Sequence, residues 1–193
     1  MEYEEIKTPR QLLEFMYQNI QYGFVDDEGR VYGSFDMQAF QIGCKTKWRL
    51  SSTERLLQVG YGHCFDVTEF ERTWFLEHGY EVKTMFITFD CPYKVNFTCH
   101  AYLLFHKMNH YCYFDYKRGI FPFSSYEEAI LFQKELHIEH NKQQKVSKKE
   151  IQYIKIYEYP TPPFNCTDDE FKMHIKLHGK EIILPKEKTY SLK

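Results

Sequence analysis

The stretch Gly60–Val82, "GYGHCFDVTEFERTWFLEHGYEV", carries the strongest structural signal of the chain. Two glycines precede Cys64, and a helical pattern follows it as far as Gly79, a residue suited to ending a helix. Unpaired N–H groups at a helix N-terminus favour an anion, so a thiol placed there is expected to have a lowered pKa. The stretch therefore leads to the hypothesis that Cys64 is a nucleophile rather than a small buried side chain.

The flanking sequence predicts an α+β fold. Capping boxes, in which Ser or Thr is followed three positions later by Glu or Gln, predict helices that begin at Thr8, Ser51, Ser125 and Thr167. Alternating aromatic and β-branched residues predict strands in "YEVKTMFITF", "NFTCHAYLLFH", "HYCYFDY" and "IQYIKIYEYP". Helices come first and strands mainly later, which indicates an antiparallel sheet. The linker Thr161–Thr167 separates a predicted domain, 1–160, from a short C-terminal extension, 161–193.

Charge and composition narrow the classes of partner. The chain has 193 residues, 27% of them charged, and a formal net charge of -2, so no basic excess indicates nucleic-acid binding. No signal pattern and no bilayer-length apolar run is present, which predicts a cytoplasmic protein without a membrane partner. Nothing in the composition indicates an oligomeric state.

The cysteines are expected to be free thiols. All six are scattered along the chain without a C-x-x-C pair, so a disulfide framework is not expected. Among them, Cys64 stands beside His63, but no spacing of Cys and His matches a zinc site. No metal or other cofactor is therefore predicted.

Cys64, His100 and Asp115 follow one another in an order that suits thiol chemistry. A nearby His can take the thiol proton, and a carboxylate can orient that His. If the two middle predicted strands form a hairpin, a two-residue loop places His100 and Asp115 on the same face. With Lys107-Met108 as the loop they lie opposite each other, and with Met108-Asn109 they lie diagonally. A three-residue loop would put them on opposite faces.

The sheet face that would carry His100 and Asp115 is predicted to carry further residues of the site. Tyr102 and Tyr113 would share it and are predicted to line a substrate cleft, while Ala101 and Leu103 on the other face indicate core. The Cys64 helix would have to pack against the His100 face to bring the thiol within reach. Cys64, His100 and Asp115 also have a purely structural interpretation, because free Cys is usually buried and a single His or Asp is often a surface group. Asp66, in the first helical turn, is interpreted as an acid favoured by the helix dipole.

The residues from Thr53 to Tyr116 resemble transglutaminase-like domains, a branch of the papain-like cysteine enzymes. The resemblance rests on Gly62, Cys64 and Gly79 around the central helix, on "HAY" beginning at His100, and on Asp115 in "YFDY". It implies a central helix that carries the Cys and packs on an antiparallel sheet, with Cys64 as nucleophile, His100 as base and Asp115 as orienting acid. Two positions depart from the family pattern: Tyr102 replaces a frequent Trp, and Tyr116 replaces a Pro or small residue.

The resemblance also implies a function and an oxyanion donor. Gln58 stands six residues before Cys64, the interval that papain-like proteases use for their oxyanion Gln, although Gln58 also suits an exposed helix position. The predicted function is thiol acyl transfer on amide bonds of a protein or peptide substrate, as in a transglutaminase or a cysteine peptidase, which is a hydrolase. Two alternatives remain open: a non-catalytic protein-binding module on the same scaffold, and a thioester-dependent acyltransferase.

Overall fold

Six antiparallel strands form the main sheet of the computed structural model, which describes residues 2–89, 99–142 and 153–184. The helices are α1 Pro9–Asn19, α2 Met37–Thr46, α3 Thr53–Val59, α4 Cys64–Glu77, α5 Tyr126–Lys142 and α6 Asp168–His178, after a 3-10 turn at Tyr3–Glu5. The strands are β1 Gln21–Val25, β2 Val31–Gly33, β3 Tyr61–Gly62, β4 Val82–Phe89, β5 Cys99–Lys107, β6 His110–Asp115, β7 Gly119–Phe123, β8 Ile154–Glu158 and β9 Lys180–Glu181. The order in the main sheet is β7-β6-β5-β4-β8-β9, and β2-β1-β3 form a smaller sheet.

The α+β class is confirmed by this arrangement of helices on an antiparallel sheet. Parts of three predicted segments lie outside the described residues: 96–98 of one strand, 151–152 of another, and 185–193 of the C-terminal extension. No helix in the described ranges combines the length and the apolar character that a bilayer crossing demands.

Local capping chemistry determines where most helices begin. The side chains of Thr8, Ser125 and Thr167 each accept a hydrogen bond from the backbone N–H three residues on, as predicted. The prediction for Ser51 was wrong by one residue. Ser52 caps α3 by accepting from the backbone N–H of Arg55 at 3.3 Å, because the N–H of Ser51 is bound to Asp66 instead.

Close packing explains the glycine two positions before the cysteine. Gly62 lies in β3, which pairs in parallel with β1 between α3 and α4. A Cβ at Gly62 would lie 2.5 Å from Leu56 Cδ1 and 3.1 Å from Val67 Cγ1, so a larger residue would force the side chain of Leu56 to move. The absence of a side chain therefore allows α4 to begin directly beside α3.

Helices cover both faces of the main sheet. On one face α4 buries Phe70 and Phe75 against Leu103 and Phe105 of β5. On the other face α5 packs against the side of the sheet that carries Tyr102 and Tyr113. The Cys64 helix therefore does not pack on the face of the sheet that carries His100, so the condition derived from the sequence is not met, and Cys64 and His100 come together only as residues that line the same two cavities. The apolar stripe of α4 instead follows the more apolar face of β5, where it removes the larger hydrophobic area from water.

The segment after residue 160 packs against the same core. Phe171 and Ile175 of α6 are fully buried in a cluster with Phe65 of α4 and Phe86 of β4. Backbone hydrogen bonds join Leu50 to residues 165 and 166, and β9 adds to β8 at the sheet edge. The residues predicted as an extension thus contribute a helix that packs against α4 and a strand that extends the sheet.

Candidate active site

A two-residue hairpin loop brings His100 and Asp115 together. Lys107 pairs with His110 across β5 and β6, so Met108-Asn109 forms the loop, and Met108 adopts a φ of 57°. In this register Asp115 lies diagonally from His100 on the same face. The two side chains are joined by a hydrogen bond of 3.2 Å between His100 Nε2 and Asp115 Oδ2. The pairing predicted from the spacing is therefore confirmed.

Asp115 is a buried and well-supported carboxylate. Its Oδ2 also accepts from the hydroxyl of Tyr113 at 3.0 Å, and its Oδ1 accepts from the backbone N–H groups of Lys117 and Arg118 at 2.8 and 3.2 Å. Burial acts to raise the pKa of Asp115, but the hydrogen bond and charge of His100, with the other donors, lower it to about 2. Asp115 is ionised at neutral pH and only accepts hydrogen bonds.

The Asp115 carboxylate sets the tautomer of His100. Because an ionised carboxylate has no proton to give, Nε2 of His100 must carry the proton of their hydrogen bond. In the neutral ring Nδ1 is then the free acceptor. The contact with Asp115 thus determines which nitrogen of His100 carries the proton in the neutral ring.

Cys64 is the first residue of α4 and is 7% exposed. Burial is the main reason that the pKa of Cys64 is raised well above its ordinary value, and the nearby thiol of Cys99 adds to the effect. The predicted lowering of this pKa is therefore wrong, and the resting thiol is neutral.

The N-terminus of α4 is already occupied by an anion other than the thiolate. Asp66 Oδ2 accepts from the backbone N–H of His63 at 3.1 Å and from Trp48 Nε1 at 2.9 Å, while Oδ1 accepts from the N–H of Ser51 at 2.8 Å. The Nδ1 atom of His63 accepts from the N–H of Phe65. The structural role expected for Asp66 is thus confirmed, and its carboxylate takes the favourable field that the thiolate hypothesis assigned to Cys64.

Two cavities meet at the thiol and the imidazole. Cys64 and His100 both line a cavity of about 540 Å³, together with side chains from α2, α5 and β5: Phe40, Cys44, Cys99, Gln133 and His137. Both also line a smaller cavity of about 180 Å³, whose wall includes Asp115, Glu71 and Tyr102. The larger volume falls within the usual range for small-molecule and peptide-side-chain sites.

The other predicted site residues lie elsewhere or act differently. Gln58 is exposed on α3 and lines neither of these two cavities, so the structure does not bring it to Cys64. Tyr102 is 1% exposed and reaches only the smaller cavity. Tyr113 lies beneath α5 and binds Asp115 through its hydroxyl rather than lining a cleft.

Sequence reasoning missed the contributions of α4 and α5. Glu71 is a buried carboxyl in the smaller cavity, and burial followed by the charge of Asp115 raises its pKa well above the usual value. Gln133 and His137 reach the larger cavity from α5. A signal for them was present in the sequence, because they are polar residues four positions apart that directly continue the helix predicted from Ser125.

No family model, curated protein or solved structure matches the chain. Within the described residues, no group of three or more His, Cys, Asp and Glu side chains is placed to hold a metal ion.

Proposed function

We propose that the chain is a thiol acyl-transfer enzyme acting on amide bonds of a protein or peptide, as its resemblance to transglutaminase-like domains implies. The observation that carries the proposal is the hydrogen bond of 3.2 Å between His100 and Asp115, at a cavity wall that Cys64 shares with His100. A scaffold alone has no need for a buried carboxylate that fixes the tautomer of an imidazole beside a thiol.

In the proposed reaction, Sγ of Cys64 attacks the carbonyl carbon of the amide and forms an S–C bond, while Nδ1 of His100 takes the thiol proton. The imidazolium then gives that proton to the amide nitrogen, the C–N bond breaks and the amine leaves. Water or a second amine attacks the thioester and regenerates the thiol by the same proton route. Asp115 orients the ring and stabilises its charged form throughout.

The raised pKa of Cys64 determines when the proton moves. A neutral resting thiol cannot act as a preformed thiolate, so transfer to His100 must accompany the attack on bound substrate. The lowered pKa of Asp115 supports this order, because its carboxylate is available to stabilise the imidazolium at any pH above about 4.

A trapped acyl-enzyme tests this function. The chain is incubated with casein and a fluorescent primary amine, and separately with a peptide library, and a thioester on Cys64 is sought by mass spectrometry after acid quenching. We expect product and a thioester with the wild type and neither with Cys64→Ala. Cys112→Ala is the matched control, because Cys112 is buried between α4 and the sheet and lines neither of the two cavities.

A second candidate is a non-catalytic protein-binding module, which the buried, neutral thiol of Cys64 favours. On this proposal the cavity and the surface around it bind a partner without bond breakage. One measurement distinguishes the two proposals. If the wild type and Cys64→Ala capture a partner equally, and no amide or thioester probe forms a thioester on the chain, the result would support the module and contradict the enzyme.

A further inference from the structure

Gln133 is a buried carboxamide with an unpaired oxygen. It is 1% exposed, it lines the larger cavity with Cys64 and His100, and its side-chain oxygen has no partner in the structure. Buried polar side chains are nearly always paired, because leaving one unpaired costs free energy of folding. An unpaired amide in the wall of a cavity is therefore a feature that a bound molecule would complete.

Gln133 shares the larger cavity with histidines of the same helix. One helical turn further along α5, His137 lines the same cavity. Burial, followed by the charges of His100, His140 and Arg118, lowers the pKa of His137 to about 3, so its ring is neutral at pH 7. The polar groups that α5 brings to this cavity are Gln133, His137 and His140, while Arg118, Lys172 and Asp168 line it from other elements.

A carboxamide offers one acceptor and two donors, and rotation about its last side-chain bond can turn either toward the cavity. The unpaired oxygen of Gln133 requires a donor, and the N–H of a substrate amide supplies one. An ester of the same shape lacks the N–H, so a site with an unpaired amide oxygen discriminates against it.

We propose that Gln133 is a specificity-determining residue that pairs with an amide group of the substrate next to the bond attacked by Cys64. The inference rests on the proposed function for the identity of the ligand as an acyl donor, but the pairing itself requires no catalysis. It also differs from the oxyanion role that the sequence suggested for Gln58, since Gln133 acts on a neighbouring amide rather than on the reacting carbonyl oxygen.

Binding to a catalytically silent chain separates this inference from the function. In the Cys64→Ala background, N-acetylglycine methylamide and N-acetylglycine methyl ester are titrated by NMR, since they differ by one N–H. We expect the amide to bind about tenfold more tightly, the worth of roughly one hydrogen bond. Gln133→Leu should remove this preference, and the matched control Gln18→Leu should retain it, because Gln18 is exposed on α1.

Thermal unfolding checks that the variants are folded. Gln133→Leu should unfold at the same or a higher temperature, because it removes an unpaired oxygen from a buried position. If it does not fold, Gln133→Met provides an unbranched apolar side chain of similar length in the same titration. Equal binding of the two probes by the parent, or a preference that survives removal of the Gln133 amide, would overturn the inference. An amide preference that depends on Gln133 would support it even if no thioester ever formed.

Discussion

At the scale of single residues, the two oxygens of Asp115 have separate roles. Oδ1 is held by the backbone N–H groups of Lys117 and Arg118, and Oδ2 is left for His100 and Tyr113. In Asp115→Asn the backbone donors would keep the amide oxygen, so the new NH₂ group would face His100 Nε2. The ring would then have to carry its proton on Nδ1, where it could no longer accept one from Cys64.

We therefore predict that Asp115→Asn lowers kcat on the order of 10³–10⁴-fold, as a wrong tautomer does in a related type of triad. Nitrogen NMR of His100 should show the change of tautomer independently of any substrate.

The Asp115→Asn variant should also lose a pH dependence of its stability. The folded pKa of Asp115 lies below its unfolded value, so the wild type gains about 2 kcal/mol above pH 4 that it loses toward pH 2. Asp27→Asn, at an exposed carboxylate, should change neither property.

The reactivity of Cys64 in the absence of substrate follows from its burial. We predict that iodoacetamide labels Cys64 with a pH profile whose midpoint lies above the ordinary thiol value of 9.0, because burial penalises the thiolate. Peptide mass mapping at several pH values gives this profile. A midpoint at or below about pH 7 would mean that the helix N-terminus and His100 outweigh burial, and it would restore the preformed thiolate that the sequence suggested.

At the scale of elements, the position of the thiol depends on how closely α3 approaches α4. We predict that Gly62→Ala costs about 1–3 kcal/mol of unfolding free energy, because the added methyl group would overlap Leu56 and press on Val67. Gly79→Ala measures the cost of backbone strain without a steric overlap. Gly79 has a φ of +75° with nothing within 4 Å of an added Cβ, so its substitution strains only the backbone. Urea unfolding measures both, and only Gly62→Ala should also impair labelling or acylation of Cys64.

At the scale of the whole molecule, patterns local to the chain were predictable and contacts between distant segments were not. Capping boxes located three helix starts, and the parity of one hairpin placed His100 beside Asp115, because both depend on residues close in sequence. The raised pKa of Cys64 was not predictable, since it comes from burial under elements brought together by the fold. The small β2-β1-β3 sheet was missed because its strands are short, and β3 is only two residues long. Which face of β5 the helix α4 packs against likewise depends on the packing of the whole core and was not predictable.

One contact between residues far apart in the sequence joins the C-terminal helix α6 to the candidate site. Phe171 of α6 is fully buried and stacks on Phe65, the residue after Cys64, with ring centroids 4.2 Å apart and an angle of 12° between planes. We predict that Phe171→Ala lowers the free energy of unfolding by about 3–5 kcal/mol, through lost burial and the cavity left behind. Leu177→Ala, on the same helix at a side chain that is 69% exposed, should change it by less than about 0.5 kcal/mol. Urea unfolding followed by near-UV circular dichroism compares the two. An equal, small effect of both variants would mean that α6 packs only loosely on α4, and that residues 1–160 hold the Cys64 helix in place on their own.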